Sequence, residues 1–335
     1  MMSRHAMYIF LLLLPFSCQT PEKQGLNEET LASMGSSIKT DFEEAAEEFG
    51  SQLSSDSTNV EALIGLAETK IILYIFGFSS RQATIPEARA AYDRARKQDP
   101  LSSEIKLLGG MLDLLDWKWK DAENAFLSAI KADPQSLNAR HWYSLYLAAI
   151  GHFDLAMAQS DTIAGMDPAG NFLIGRGSLL YFARRNVELR DLMIEVVAMD
   201  TSVAWGYDWL GMAYIELLDY GNSVQTYYKA FELSDGTVEV GGGLGHALGL
   251  AGDYSTAKRM ADFYALKSKD YYLPPVQRAF IHIGIVEYDE AFRLLEQAYE
   301  EKSWFLAFIQ SEPWYDPIRN DVRFDQIVHK MNFPE

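Results

Sequence analysis

A small-residue position returns along this chain at an almost constant interval. Ala88, Ala122, Ala156, Leu189, Ser223, Ala257 and Ala291 are spaced 34, 34, 33, 34, 34 and 34 residues apart. That period holds two short helices and their turns, and a unit of this size cannot bury its apolar face alone. Neighbouring units must therefore stack. The expected product is a solenoid with no single central core, whose long curved surface is suited to holding another molecule. The period argues for binding and does not name the partner.

Other position classes keep the same phase. Leu210, Gly211 and Tyr214 share one face of a first helix, Tyr220 lies at the turn, and Ser223, Tyr227 and Ala230 line a second helix closed by Asp235. Gly245, Gly252, Tyr254 and Ala257 repeat the pattern, and so do Ala279, Tyr288, Ala291 and Ala298. Asp99-Pro100, Asp133-Pro134 and Asp167-Pro168 also recur at 34 residues. Proline cannot continue a helix interior and restricts the residue before it, so each pair marks a helix end. From Gly65 to Ala88 the distance is 23 residues where later units use 12. About eleven residues around 74–86 are thus inserted in the first unit, either lengthening its helices or forming a protruding loop.

The two ends differ from the repeats. Phe42, Ala45, Ala46 and Phe49 fall at helical spacing and read as the second helix of a half unit. Phe324, Ile327, Val328 and Met331 form another helical stripe in residues 302–335, read as a cap over the last apolar face. At the start, Arg4 and His5 precede an apolar run from Ala6 to Leu14, followed by Ser17 and the only cysteine, Cys18. The run is far shorter than the roughly 20 residues of a spanning helix and matches a secretory signal peptide. A lone cysteine in an exported chain forms no internal disulfide, so it needs another role.

Composition narrows the function further. Hydrophobic residues make up 48% of the chain, too many for disorder. The balance of 29 basic and 47 acidic residues gives a net charge of -18, which repels phosphate backbones and anionic headgroups and argues against nucleic acid. The histidines His5, His141, His152, His246, His282 and His329 form no His-Glu-x-x-His zinc motif. The run Gly241-Gly242-Gly243-Leu244-Gly245 follows a helix and precedes no Gly-Lys-Ser/Thr, so it reads as close helix contact. Glu43-Glu44 and Glu47-Glu48 read as a solvated face. No catalytic, metal or cofactor motif emerges, and the chain is expected not to be an enzyme.

The repeat pattern resembles the tetratricopeptide repeat family over residues 38–301. It departs at Leu189 and Ser223, which replace the usual alanine, and at Thr201 and Asp235, which replace the closing proline. The resemblance implies an all-α, right-handed superhelical solenoid of antiparallel helix pairs, about seven units plus a half unit, with a C-terminal capping segment. The chain then divides into a signal peptide (1–17), a lipidated N-terminus and tether (18–36), the solenoid (37–301) and the cap (302–335). Together with His141-Trp142-Tyr143 and the ending Pro313-Trp314-Tyr315-Asp316-Pro317, the arrangement also resembles the repeat module behind winged-helix domains of some bacterial regulators.

Leu14-Pro15-Phe16-Ser17-Cys18 resembles the lipobox of bacterial lipoproteins, with Pro15 and Phe16 departing from its usual pattern. The resemblance implies lipid on Cys18, and the polar stretch from Gln19 to Ser36 reads as a tether spanning roughly 23 Å. Gln19 in place of aspartate leans toward the outer membrane. Cleavage by an ordinary signal peptidase, releasing a soluble protein, stays open beside it.

In the tetratricopeptide family the partner groove is lined by first-helix residues at four positions per unit. Carried onto this chain, these include Asn138 and His141, then Asn171, Ile174 and Tyr181, then Trp205, Asp208 and Met212, then Glu239 and His246. Leu107, His141, Ile174, Asp208 and Gly242 stand where a cationic clamp for terminal carboxylates would be, so that ligand class is not expected. Asp208 and Glu239 instead favour a neutral or basic segment. Packing within the chain is the other reading of Trp205, His141 and Tyr181. The implied function is a non-enzymatic envelope lipoprotein acting as a protein interaction scaffold. The alternative is a small-molecule or glycan-binding lipoprotein of a nutrient-uptake system.

Overall fold

The computed structural model describes residues 36–334. The expectations for the signal segment, Cys18 and the tether up to residue 35 lie outside the described residues. Helix α1 (Ser36–Ser55) stands ahead of seven antiparallel pairs. These are α2 (Val60–Ile75) with α3 (Arg81–Gln98), α4 (Ser103–Leu115) with α5 (Trp119–Ala132), α6 (Leu137–Ala149) with α7 (Phe153–Met166), and α8 (Leu173–Phe182) with α9 (Asn186–Met199). They continue as α10 (Ala204–Glu216) with α11 (Tyr220–Leu233), α12 (Val238–Leu250) with α13 (Tyr254–Lys267), and α14 (Pro275–Gly284) with α15 (Tyr288–Glu300). Two 3-10 turns, Trp304–Phe308 and Pro313–Ile318, and helix α16 (Val322–Lys330) follow. Every regular element among the described residues is helical.

Short polar side chains set the helix ends. Asn59, Ser102 and Ser136 accept from the N–H groups of Ala62, Ile105 and Ala139 at 3.0, 3.4 and 3.2 Å, capping α2, α4 and α6. Asp99, Asp133 and Asp167 cap the far ends of α3, α5 and α7. The Asp99 carboxylate then accepts from the N–H groups of Leu101 and Ser102 at 3.2 and 3.1 Å, so the Asp-Pro pair both stops one helix and aims the chain at the next. Within the pairs, Trp117, Gly151, Arg184, Leu218, Gly252 and Val286 all take the left-handed conformation, with φ between 56° and 88°. Glycine holds only two of these six positions. The rest pay a backbone cost, highest for branched Val286.

The recurrent small residues lie where expected, fully buried between the helices of each pair. Ser223 is tolerated there because its hydroxyl donates to the Gly211 carbonyl at 2.9 Å. A Cβ on Gly211 would stand 2.6 Å from the Tyr227 ring, and one on Gly249 only 2.5 Å from the Gly284 backbone. The glycine run in α12 is therefore the means by which α12 and α14 approach closely. In the first unit the extra residues lengthen the helices, to 16 and 18 residues against 13 and 14 in the next pair.

The stack curls until its ends meet. Gly77, after α2, lies against Pro274 at the start of α14, and Phe76 packs 5.1 Å from Trp205. Only α16 behaves as the expected cap, lying on α15 with Arg323 and Lys330 paired to Asp289 and Glu296 at 2.8 and 3.0 Å. The preceding stretch turns inward across the first helices of the solenoid. The Tyr74 hydroxyl donates to the Lys302 carbonyl at 2.6 Å, and the Ser311 hydroxyl to the Ala148 carbonyl at 2.7 Å. Phe308 stacks on Phe182 with centroids 4.6 Å apart, and Trp314 stacks on His246 at 4.4 Å. The correction has a physical basis: the curl leaves an apolar hollow, and the aromatic tail is the nearest surface that can bury it.

Candidate binding pocket

Between the tail and the inner wall lies a pocket of about 500 Å³. First helices supply most of its lining because each unit repeats the same inward-facing register. The tail closes one side with Trp304, Phe305, Phe308, Glu312 and Trp314. Eight of the ten groove residues expected from the sequence line the pocket: Asn138, His141, Asn171, Ile174, Trp205, Asp208, Met212 and Glu239. Tyr181 and His246 instead support the tail. The Tyr181 hydroxyl donates to the Glu312 carboxylate, and His246 Nδ1 donates to the Phe280 carbonyl at 2.8 Å.

Four carboxyl groups line this pocket, Glu68, Asp208, Glu239 and Glu312, together with no lysine or arginine. Asp208 is only 7% exposed and makes no hydrogen bond or ion pair among the described residues. Burial pushes its pKa up to about 7. Burial, reinforced by the charge of Asp208, holds Glu239 well above the usual carboxylate range, and its Oε2 has no partner. Glu68 rises to about 8 through burial and then Glu104. Glu68 and Glu239 are partly buried and both line the pocket. Glu312 rises to about 7 by burial, against the opposing bonds from Tyr181 and the Trp314 N–H. His141 and His246 are both pushed down to about 4 by burial and stay neutral.

The sequence reading missed Glu68, Trp142, Phe182, Trp209 and all the tail residues of this pocket. Trp142 and Trp209 each stand next to an inward-facing position, and the apolar density of the tail was itself a signal. Among the described residues no cluster of His, Cys, Asp and Glu is arranged to hold a metal ion, and no helix is long and apolar enough to cross a membrane.

Solved structures share this architecture. The chain matches the APC/C Cut9–Hcn1 hetero-tetramer with a TM-score of 0.59 at 15% identity, covering 88% of this chain and 54% of that one. The fold is the tetratricopeptide repeat. Yeast Tom70 matches with a TM-score of 0.52 at 16% identity over 97% of this chain and 72% of that chain. A tetratricopeptide repeat protein of Parabacteroides merdae matches at 0.50 and 12% identity, over 81% and 98%. In sequence the chain is 25% identical over 195 residues to Superkiller protein 3 of Saccharomyces cerevisiae, which is 52% of this chain and 12% of that protein. The chain thus spans about an eighth of that relative's length and about half of the Cut9–Hcn1 chain it matches. No family model matches the chain.

Proposed function

We propose that this tetratricopeptide solenoid is a non-enzymatic protein interaction scaffold that grips an extended polypeptide along its inner wall. The observation that carries the reading is that the inner wall already holds a polypeptide, its own residues 302–318. It does so as a peptide groove would, with hydroxyl groups bonded to backbone carbonyls across the contact: Tyr74 to Lys302, and Ser311 to Ala148 at 2.7 Å. Asn138, Asn171 and Trp205 remain partly exposed beside the tail and offer a partner the adjoining rim. The acidic pocket beneath that rim favours a neutral or basic segment. The Cut9–Hcn1 assembly, whose fold the chain shares, supports an assembly role by analogy.

The short apolar start and the lipobox-like run ending at Cys18 support a bacterial envelope location for this scaffold, and Gln19 after the cysteine favours the outer membrane. One lipid chain anchors marginally and two or three anchor durably. Cys18→Ser is expected to move the protein from the membrane to the soluble fraction, and unchanged membrane retention excludes the anchor. For the groove, a photo-crosslinking residue at position 138 is expected to trap one or a few envelope proteins that the same residue at exposed position 195 does not. Equal trapping at both positions, or none at 138, removes the inner wall as the partner site.

A further inference from the structure

A polypeptide along the rim draws only on the sign of the pocket's charge and leaves its interior unfilled. Burying a carboxyl group without a hydrogen bond or a countercharge is unfavourable, yet this pocket keeps several of them together. Asp208, nine-tenths buried and unpaired, and Glu239, with one oxygen unpartnered, stand close enough on α10 and α12 to interact electrostatically. Gln277, 3% exposed, adds an unpartnered carbonyl oxygen to the same wall. Each of these atoms accepts hydrogen bonds, and neither lysine nor arginine is present in the lining to satisfy them. The same pocket is lined by the rings of Trp142, Trp205, Trp209, Trp304 and Trp314, a dense set of electron-rich aromatics. Tryptophan is the side chain whose face attracts a cation most strongly.

We propose that this pocket binds a small organic cation, an amine or quaternary ammonium carried on an aromatic or alkyl body. The body fills the ring-lined space, and the ammonium group supplies the countercharge that Asp208 and Glu239 lack. Entry of the cation makes ionisation of these carboxyls favourable where burial alone opposes it. The volume lies within the range of sites that take small molecules, about 300–1,000 Å³. An organic anion meets only like charge. A sugar brings many hydroxyls to a wall made mostly of aromatic and aliphatic carbon, where most would lose their hydrogen bonds. This inference goes beyond the scaffold reading and does not depend on it.

The test is a titration of the full-length chain at pH 8 with 4-phenylbutylamine, 4-phenylbutan-1-ol, 4-phenylbutanoate and maltotetraose. It is followed by calorimetry and by tryptophan fluorescence, since five of the chain's seven tryptophans line the pocket. The amine is expected to bind at least tenfold more tightly than the isosteric alcohol, with the anion and the sugar not binding. Asp208→Asn combined with Glu239→Gln is expected to cancel that tenfold preference while leaving alcohol affinity within twofold. Equal affinity for amine and alcohol, preferential sugar binding, binding of none of the probes, or a preference that survives the double substitution overturns the proposal. Should the double variant not fold, the amine-to-alcohol ratio of the unsubstituted chain decides alone. A partner trapped at position 138 with no amine preference leaves the scaffold reading standing while this one fails, and the converse outcome separates them the other way.

Discussion

The seam inside each helix pair and the inner wall facing the tail are built on opposite terms. In the seam small residues and one local bond do the packing: Ser223 bonds Gly211, and alanine or glycine lets the backbones meet, with the Tyr227 and Tyr264 hydroxyls left without a partner. At the inner wall Asp208 is buried without a partner among the described residues and Glu239 leaves one oxygen unpaired, and the tail stacks on Phe182 and His246. The seam is optimised for stacking. The wall gives up stability at positions a ligand can satisfy, the usual cost of a binding site. Both regions come from the same repeats, so the difference lies in which face of a unit meets its neighbours and which meets the hollow.

The largest expected effect comes from removing what the wall leans on. Phe308→Ala strips the ring stacked on Phe182 and is expected to cost about 4 kcal/mol in urea unfolding. A cost below about 1 kcal/mol would mean that the tail is a loose cover and that the wall is stable without it. The comparison would then have to be redrawn with the tail as a separate element.

The next effect sharpens the contrast through pH. Glu68, Asp208, Glu216, Glu239 and Glu312 all have raised pKa values, largely by burial, with Glu216 at about 7. In the fold they hold protons that the unfolded chain has already released at neutral pH, so folding takes up protons. Their stabilising contribution is full below the ordinary carboxylate value near 4, and is lost as pH rises through 7 to about 8. His141 and His246, lowered to about 4, act the other way and lose stabilisation as pH falls from 6.5 to 4. His282, also lowered by burial, acts in the same direction, and the five carboxyls outweigh the three histidines. Thermal unfolding is therefore expected to drop from pH 5 to pH 8, on the order of 5 °C. Asp208→Asn with Glu239→Gln should flatten the slope and raise the melting temperature at pH 8. A melting temperature that rises from pH 5 to 8 would show these carboxyls to be compensated.

The smallest effect tests the turns that join the two helices of each pair. Val286 sits at φ 63°, where Gly151 and Gly252 serve other units at the same beat. Val286→Gly is expected to stabilise the chain by about 1 kcal/mol, since the left-handed conformation costs a branched residue about that much. Loss of stability on this change would mean that the exposed valine side chain makes a contact worth more than the backbone strain.

The helix pairs, their number and their seams were legible because each depends on residues within one period. Ala122 and Ala156 announce two close-packed helices wherever the neighbours lie, and Asp99-Pro100 ends a helix by its own geometry. The inward register of Asn138, Trp205 and Asp208 followed from the resemblance to the tetratricopeptide repeat. The tail was not legible in this way. Phe324, Ile327 and Met331 gave the correct helix, but nothing local to Trp304 or Phe308 shows that they meet Trp142 and Phe182. Glu68 escaped for a related reason: it lies in the one unit whose insertion shifts the phase.

The sequence by itself determined an all-helical stack of about seven pairs, closed by caps and turns that each residue pattern specifies locally. Only the tertiary structure decided that the stack curls until Gly77 reaches Pro274, that Tyr74 bonds Lys302 across 228 residues, and that a carboxyl-lined pocket is left between. Curvature is the sum of small rotations over the six interfaces between the seven pairs. No single residue encodes that sum, so the contacts it creates cannot be read from any one period.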